Sequence, residues 1–493
     1  MGLLDSKKRS KNKKILFISS ASVGPLYLSH ILKKNGFTVM RLHQGYKECL
    51  GEPSQPFSPP VTEAELRKFC PDIVGFSVDT ASFSKAEQMA AEIKKVLPNV
   101  LIVFGGPHPS ISPDDSINSN CVDAICYGEG ELAMLELCEC IEKGMSPAKI
   151  ENIWIKLDGK VYKNPRRPYI QELDSFPMDR GGLHYGGVIT GRGCLGNCAF
   201  CGTPAMKKNG PRGKYFRKHS VEYVLDEIAV VYKGLIKYSL HPKSIAGKLL
   251  GMRDEKGWIY PLRFKDDTFL GSKKWFLEFA PKYKKRFPRL KYICQARANE
   301  IDEEVASWLK KSGCVRVSMG FECGSEKARL EVLKKRITNE QLRNACSLLK
   351  KYNIEIMGQW MYGLPDETFQ EALETLILSV KSGDFPQLHM TTPLPGTKLF
   401  DIALEKGFIT PDYVTPGLYE PSVFHDKESY IGILLISILH VLKDVRIPSN
   451  YHYVRYLGDV DFRGKTLGEI VVQEIENVQG SKLRDEVESK NIQ

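Results

Sequence analysis

The stretch Gly191-Arg192-Gly193-Cys194-Leu195-Gly196-Asn197-Cys198-Ala199-Phe200-Cys201 decides how the rest of the chain is read. It follows the apolar run Gly187-Val188-Ile189-Thr190, which reads as a strand, so three thiols fall in a loop at a strand's carboxyl end. Thiolates this close, separated by glycines, can wrap a single inorganic cluster. A cubane cluster normally carries a cysteine on every iron. Three local ligands leave one iron open, much as a catalytic zinc keeps one position free, and an open iron can chelate a small molecule bearing an amine and a carboxylate. The competing reading is a zinc site completed by a distant cysteine, Cys294 or Cys323. Structural zinc sites favour paired ligands at both ends, and no second pair occurs here.

Downstream of this loop, apolar runs predict strands at 262–266, 290–296, 315–321, 354–361 and 387–391, with helices at 273–285, 302–311, 339–351 and 366–381. Together with 187–190 these make six strand–helix units, enough for an incomplete TIM-like barrel whose reactive groups gather at the strands' carboxyl ends. Upstream, strands are predicted at 14–19, 37–42, 73–78, 100–104 and 123–127, with helices at 24–35, about 83–97 and about 130–143. Continuous apolar strands alternating with helices fit a doubly wound, flavodoxin- or Rossmann-like parallel sheet. In such sheets ligands bind beyond the carboxyl ends of the strands. The loops there carry Ser19, then Ser77 and Thr80, then Gly105-Gly106-Pro107-His108-Pro109, then Gly128-Glu129-Gly130-Glu131. Glycines and small hydroxyls let backbone amides approach a large polar ligand closely.

The organisation expected is a basic tail (1–13), a front domain (14–149), a connector with a hairpin turning at Asp158-Gly159 (150–185), the partial barrel (186–415) and a mostly helical C-terminal cap (416–493). Residues 235–261 are longer than a barrel connection requires. The cap contains an apolar helix at 428–443, too short to span a bilayer, and the aromatic cluster Tyr451, Tyr453 and Tyr456.

The spacing Cys194-x3-Cys198-x2-Cys201, with Phe200 before the last cysteine, resembles the signature loop of the radical SAM superfamily, whose members cleave S-adenosylmethionine (SAM). Other stretches resemble that family in the same order. Arg263-Phe264-Lys265-Asp266-Asp267-Thr268-Phe269 is similar to its second-strand stretch, with Asp-Asp in place of the Gly-Gly-Glu of many members. Ser318 to Glu326 is similar to its fourth-strand motif, and Gly363-Leu364-Pro365-Asp366-Glu367-Thr368 and Pro393-Leu394-Pro395-Gly396-Thr397 to its later strand ends. The resemblance implies that Cys194, Cys198 and Cys201 hold a 4Fe-4S cluster whose open iron chelates SAM, which is reductively cleaved to a 5′-deoxyadenosyl radical. It further implies that Phe200 lies beside the adenine, that Asp266 and Asp267 contact SAM, and that Glu322 faces the ribose; Gln295 and Arg297 are assigned to the same cavity. Read from the residues alone, Asp266 and Asp267 fit a helix-capping role equally well, and Glu322 a backbone-satisfying one.

The front domain, joined to such a barrel, resembles the cobalamin-binding subfamily of radical SAM enzymes. The resemblance assigns Ser19, Ser77, Thr80, Gly105, Gly106, Pro107, His108, Gly128, Glu129 and Gly130 to cobalamin. The Asp-x-His-x-x-Gly motif of methionine-synthase-type proteins is absent, so no histidine is marked as an axial ligand. Two cofactors imply methylation of an unactivated carbon: hydrogen abstraction by the adenosyl radical, then a methyl group from methylcobalamin. A cyclase or rearrangement enzyme uses the same motifs, and a non-catalytic cobalamin or redox sensor is a third reading. Methylthiolation is disfavoured, because the front domain lacks a second three-cysteine site.

Composition bounds the setting. With 42% hydrophobic and 26% charged residues the chain has the make-up of a soluble globular protein. Thirteen cysteines, an odd number without an export signal, argue for reduced thiols and a cytoplasmic location. The expected partners are a small-molecule or lipid substrate and an electron donor such as flavodoxin or ferredoxin. No nucleic-acid module and no stable membrane span are expected.

Overall fold

The computed structural model describes residues 13–19, 24–43, 61–176, 187–208, 210–211, 213–239, 261–382, 385–413, 415 and 423–424. The apolar helix and tyrosine cluster expected beyond 416, the basic tail through residue 12 and most of the long 235–261 connection lie outside these residues. The chain divides into two compact bodies. One comprises residues 1–195, 201–267 and 394–397; the other comprises 196–200, 268–393 and 398–493.

In the first body, β1 (Lys14–Ser19), β2 (Thr38–His43), β3 (Ile73–Ser77), β4 (Leu101–Gly105) and β5 (Ala124–Cys126) pair in parallel, in the order β2-β1-β3-β4-β5. Strand side chains alternate between faces, and both faces are apolar here. Leu16, Ile18, Val74, Phe76, Ile102, Phe104 and Ile125 bury one face against Leu66, Ala86, Ala90, Ile93 and Ile117 of the helices at 63–69, 83–96 and 113–118. Ile15, Phe17, Ile73, Val103, Ala124 and Cys126 bury the other face against Leu32, Ala133, Met134 and Leu137 of the helices at 24–34 and 131–142. That double burial is why the strands read as continuous apolar runs.

The hairpin assigned to the connector belongs to this sheet. β6 (Ile153–Leu157) adds antiparallel to β5, and β7 (Lys160–Lys163) adds to β6, giving seven strands instead of five. Ile153 and Ile155 are fully buried, so pairing with β5 removes an apolar face from water as well as satisfying a sheet edge. Asp158 and Gly159, both at positive φ, form the tight turn. Lys160 and Lys163 charge the new edge.

The same body contains β8 (Gly187–Val188), β9 (Gly191–Arg192), β10 (Arg217–Lys218) and β11 (Leu262–Phe264). β8 and β11 pair in parallel, and β9 and β10 pair antiparallel. The glycines flanking Arg192 exist for β10. A Cβ on Gly191 would stand 2.3 Å from the Arg217 carbonyl oxygen, and one on Gly193, where φ is +83°, 2.6 Å from that of Tyr215.

The second body holds β12 (Tyr292–Ala296), β13 (Cys314–Glu322), β14 (Glu355–Tyr362) and β15 (Phe385–Met390), paired in parallel in chain order. The helix at 273–286 precedes β12 and helices at 303–312, 339–351 and 369–382 connect the strands, within a few residues of expectation. Asp302 and Thr338 accept backbone N–H groups as N-caps, and Gly313 ends helix 303–312 in the left-handed region.

Gly106 closes β4 at φ +104°, where a Cβ would stand 2.8 Å from the Val78 carbonyl oxygen and 2.9 Å from its nitrogen. Gly106→Ala is therefore expected to destabilise the front sheet by about 2 kcal/mol, read as a lower midpoint in chemical denaturation. An unchanged midpoint would refute the close-approach argument.

Candidate functional site

The first body encloses a cavity of about 370 Å3 at the carboxyl ends of β3, β4 and β5. Ser77, Gly105, Gly106, Pro107, Gly128, Glu129 and Gly130 line it, seven of the residues assigned to cobalamin. Apolar side chains of the strands, among them Phe17, Phe76 and Val103, make its inner wall. Ser110 ties the two glycine loops together: its hydroxyl donates to the Gly106 carbonyl oxygen at 2.7 Å and accepts from the Gly128 N–H at 2.9 Å.

The other three residues in that set do not line the cavity. Ser19 is buried at the end of β1. Thr80 and His108 meet each other, Oγ1 to Nδ1 at 3.2 Å. The imidazole of His108 lies 4.2 Å from the Phe83 ring, and its Nε2 stands 3.2 Å from an Asp115 carboxylate oxygen. His108 is thus a held core side chain, turned inward because the short helix at 107–111 packs it beneath the loop.

Glu129 spends its carboxylate on the protein. One oxygen meets Arg192 at 2.9 Å and Arg217 at 2.8 Å; the other accepts the Ile170 N–H at 2.8 Å. Arg192 also pairs with Glu131, and Arg217 donates to the Ile170 carbonyl at 2.6 Å while stacking 5.0 Å from the Tyr169 ring. Burial alone would raise the Glu129 pKa, but the Arg217 hydrogen bond and the charges of Arg192 and Arg217 outweigh it and hold the carboxyl below its usual range. Burial likewise works against the charge on Arg192, and Glu131 and Glu129 reverse it. The Arg192 and Arg217 contacts escaped sequence reading because the ion pairs join residues 61 to 88 positions apart.

Asp266 and Asp267, adjacent in sequence, have different surroundings. Asp266 accepts from Thr190 at both its N–H (3.0 Å) and its hydroxyl (2.6 Å), and from the Lys218 ammonium at 3.0 Å. It is buried and spent on the loop after β8, and it caps no helix, the N-cap of the helix at 273–286 being Ser272. Both residues line the cavity, and the pKa of Asp267 is raised by burial and by the charge of Asp266.

Of the three cysteines, Cys198 is buried while Cys194 and Cys201 are half-exposed. The Cys198 sulfur lies 3.9 Å from an Arg297 guanidinium nitrogen, and the Cys201 sulfur accepts the Thr203 N–H at 3.4 Å. Among the described residues no three His, Cys, Asp or Glu side chains gather at metal-binding distances. The loop's fit to an iron–sulfur cluster therefore rests on its donors, three thiols with no carboxylate or imidazole among them. Cys323, one candidate for a distant zinc ligand, is pushed by burial to a pKa of about 12 and donates to the Ser325 carbonyl at 3.4 Å. That is a protonated core thiol.

In the second body Phe200 packs with Leu364, Leu333 and Leu399, and its neighbour Ala199 exchanges backbone hydrogen bonds with Leu333 and Leu399. Glu322, at φ +68°, is buried and paired with Lys335 at 2.6 Å. Gly320 makes room for that pair: its Cβ would stand 2.2 Å from the carboxylate and 2.4 Å from the ammonium. Gln295 is exposed on β12. Glu367 accepts the N–H groups of Gly363 and Leu364, and burial raises it to about 7.

The B12 binding domain family model matches residues 21–138, and the Radical SAM superfamily model matches residues 188–378. An uncharacterized methyltransferase of Pyrococcus horikoshii is 32% identical over 357 residues, covering 70% of this chain and 72% of the relative. The anaerobic magnesium-protoporphyrin IX monomethyl ester cyclase of Rubrivivax gelatinosus is 27% identical over 417 residues, 79% of this chain and 68% of the relative. Among solved structures, the cobalamin-dependent S-adenosylmethionine radical enzyme OxsB, with aqua-cobalamin bound, aligns with a TM-score of 0.66 at 17% identity, covering 97% of this chain and 75% of that one. The fold is accordingly a doubly wound sheet followed by a partial barrel, and the chain belongs to the cobalamin-binding radical SAM enzymes.

Proposed function

We propose that this chain methylates an unactivated carbon of a small-molecule substrate, with cobalamin in the glycine-lined cavity and a 4Fe-4S cluster on Cys194, Cys198 and Cys201. One observation carries the reading. In a single compact body the Gly128–Glu131 loop of the cavity is ion-paired to Arg192, two residues before the first of the three cysteines. When bound, SAM and its cluster supply hydrogen abstraction, and methylcobalamin supplies the methyl group.

The protein's own residues hold and shield. Glu129 and Glu131 fix Arg192, and with it the approach to Cys194. Arg297 lends positive charge to Cys198, Phe200 gives an apolar wall for adenine, and Asp267 offers a carboxyl facing the cavity. Asp266 and Glu322 act through Thr190, Lys218 and Lys335 as positioning residues. Of the cobalamin set, Gly105, Gly106, Gly128 and Gly130 supply close approach, while Thr80 and His108 support the loops from beneath. We keep the barrel bounds 186–415 and the cap 416–493, extend the front domain from 14–149 to take in the hairpin through Lys163, and keep a cytoplasmic location and a flavodoxin- or ferredoxin-like electron donor as parts of this proposal. No helix of the described residues is long and apolar enough to cross a membrane.

The kinship with a cyclase makes ring closure the second reading. Anaerobic protein reconstituted with iron, sulfide and cobalamin, given SAM with a trideuterated methyl group and candidate extracts, separates the two by mass spectrometry. Methylation predicts deoxyadenosine together with a product carrying the heavy methyl. Deoxyadenosine with a methyl-free product would establish cyclisation or rearrangement, and its absence would defeat both readings. Cys198→Ala should abolish the cluster's visible absorption and deoxyadenosine formation while cobalamin is still retained.

Glu129→Gln leaves the buried Arg217 and half-buried Arg192 guanidiniums short of charge and is expected to cost about 3 kcal/mol of stability at neutral pH. Because the folded-state pKa of Glu129 is lowered, its contribution is complete above the ordinary glutamate pKa and fades as pH falls through the lowered value. Denaturation of the wild-type and Glu129→Gln proteins should therefore converge in acid. A gap that persists undiminished at low pH would show that the carboxylate charge is not its source.

A further inference from the structure

The cavity's cations are not alike. Arg192 and Arg217 are neutralised by Glu129 and Glu131. Arg166, which lines the same cavity, is not. Its guanidinium donates to the Ser110 carbonyl and, at 3.5 Å, to the Met206 carbonyl, and it lies 4.6 Å from the centre of the Tyr127 ring. Among the described residues no carboxylate pairs with it, and the groups that act on its charge are Tyr127, Tyr169 and Tyr215. Carbonyls and ring faces orient a guanidinium without cancelling its charge, and a partly buried cation in that condition gains from an anion.

Its anchor says where such an anion would be met. The residue whose carbonyl holds Arg166 is Ser110, which also bonds the Gly106 and Gly128 loops to each other. Arg166 is thus fixed where the two glycine loops join, with N–H donors left over for a forked partner. A planar guanidinium matches the two oxygens of a phosphate diester better than it matches neutral amides. Cobalamin's periphery is made of neutral amides except for one permanent anion, the phosphodiester of its nucleotide tail.

Resting on the reading that this cavity takes cobalamin, we propose that Arg166 is the receptor for that phosphodiester. Arg166 then sets the protein's preference for a complete corrinoid over one lacking the nucleotide tail.

The test is binding of cobalamin and of cobinamide, which lacks the phosphodiester and nucleotide, to the full-length protein, followed by equilibrium dialysis and visible absorption. Wild type should bind cobalamin more tightly than cobinamide. Arg166→Met should weaken cobalamin about tenfold to a hundredfold and leave cobinamide unchanged, and Arg166→Lys should recover part of the loss. Equal losses for both corrinoids would overturn the proposal in favour of a corrin contact or a structural role. No loss for cobalamin would overturn it in favour of an anion on the substrate. Wild type that binds neither corrinoid would instead refute the assignment of the cavity, and Arg166's role would fall with it.

Discussion

The carboxylate of Glu129 is the constraint on which the rest of the first body depends. β9 and β10 contribute two residues each, too few for a ladder to hold them. They are held by charge: Arg192 from one strand and Arg217 from the other converge on the same carboxylate oxygen. Glu131 supplies the second negative charge, so two guanidiniums meet two carboxylates and the web is neutral. Desolvation would make any member alone costly, which fixes the set as a unit. The glycines at 191 and 193 complete it by letting β10 come within contact of β9.

Strands β1, β3, β4 and β5 were legible in the sequence because each is buried on both sides, so burial and apolar character coincide along the backbone. The spacing of the cysteine loop pointed to the family to which the chain belongs. The hairpin's turn at Asp158-Gly159 was legible too, but not its partner, since the unpaired edge of β5 is a property of the assembled sheet. The glycines around Arg192 show the same limit. Their Cβ positions are closed by the backbone of Arg217 and Tyr215, a contact that no local pattern reveals.

Side-chain direction was the least legible feature. His108 sits in a loop at the carboxyl end of a strand, where residues commonly meet ligands, yet the single helical turn that begins at Pro107 carries it under the loop against Phe83 and Thr80. Asp266 and Glu322 stand where acidic residues of the family are expected, and each already has a lysine, Lys218 and Lys335, at hydrogen-bond distance. A motif fixes which residue stands at a strand end; only packing decides whether its charge is still available.

That distinction separates the two neighbouring aspartates physically. Asp266 is tied to an ammonium, a hydroxyl and an amide, which makes it a fixed strut of the loop after β8. Asp267 faces the cavity beside that strut, and both burial and the neighbouring charge favour its protonated form. The pair therefore divides its work: one carboxylate stabilises the loop after β8, and in doing so makes the other a better holder of a proton at the cavity wall. Replacing the strut's charge would alter the second carboxyl without touching it.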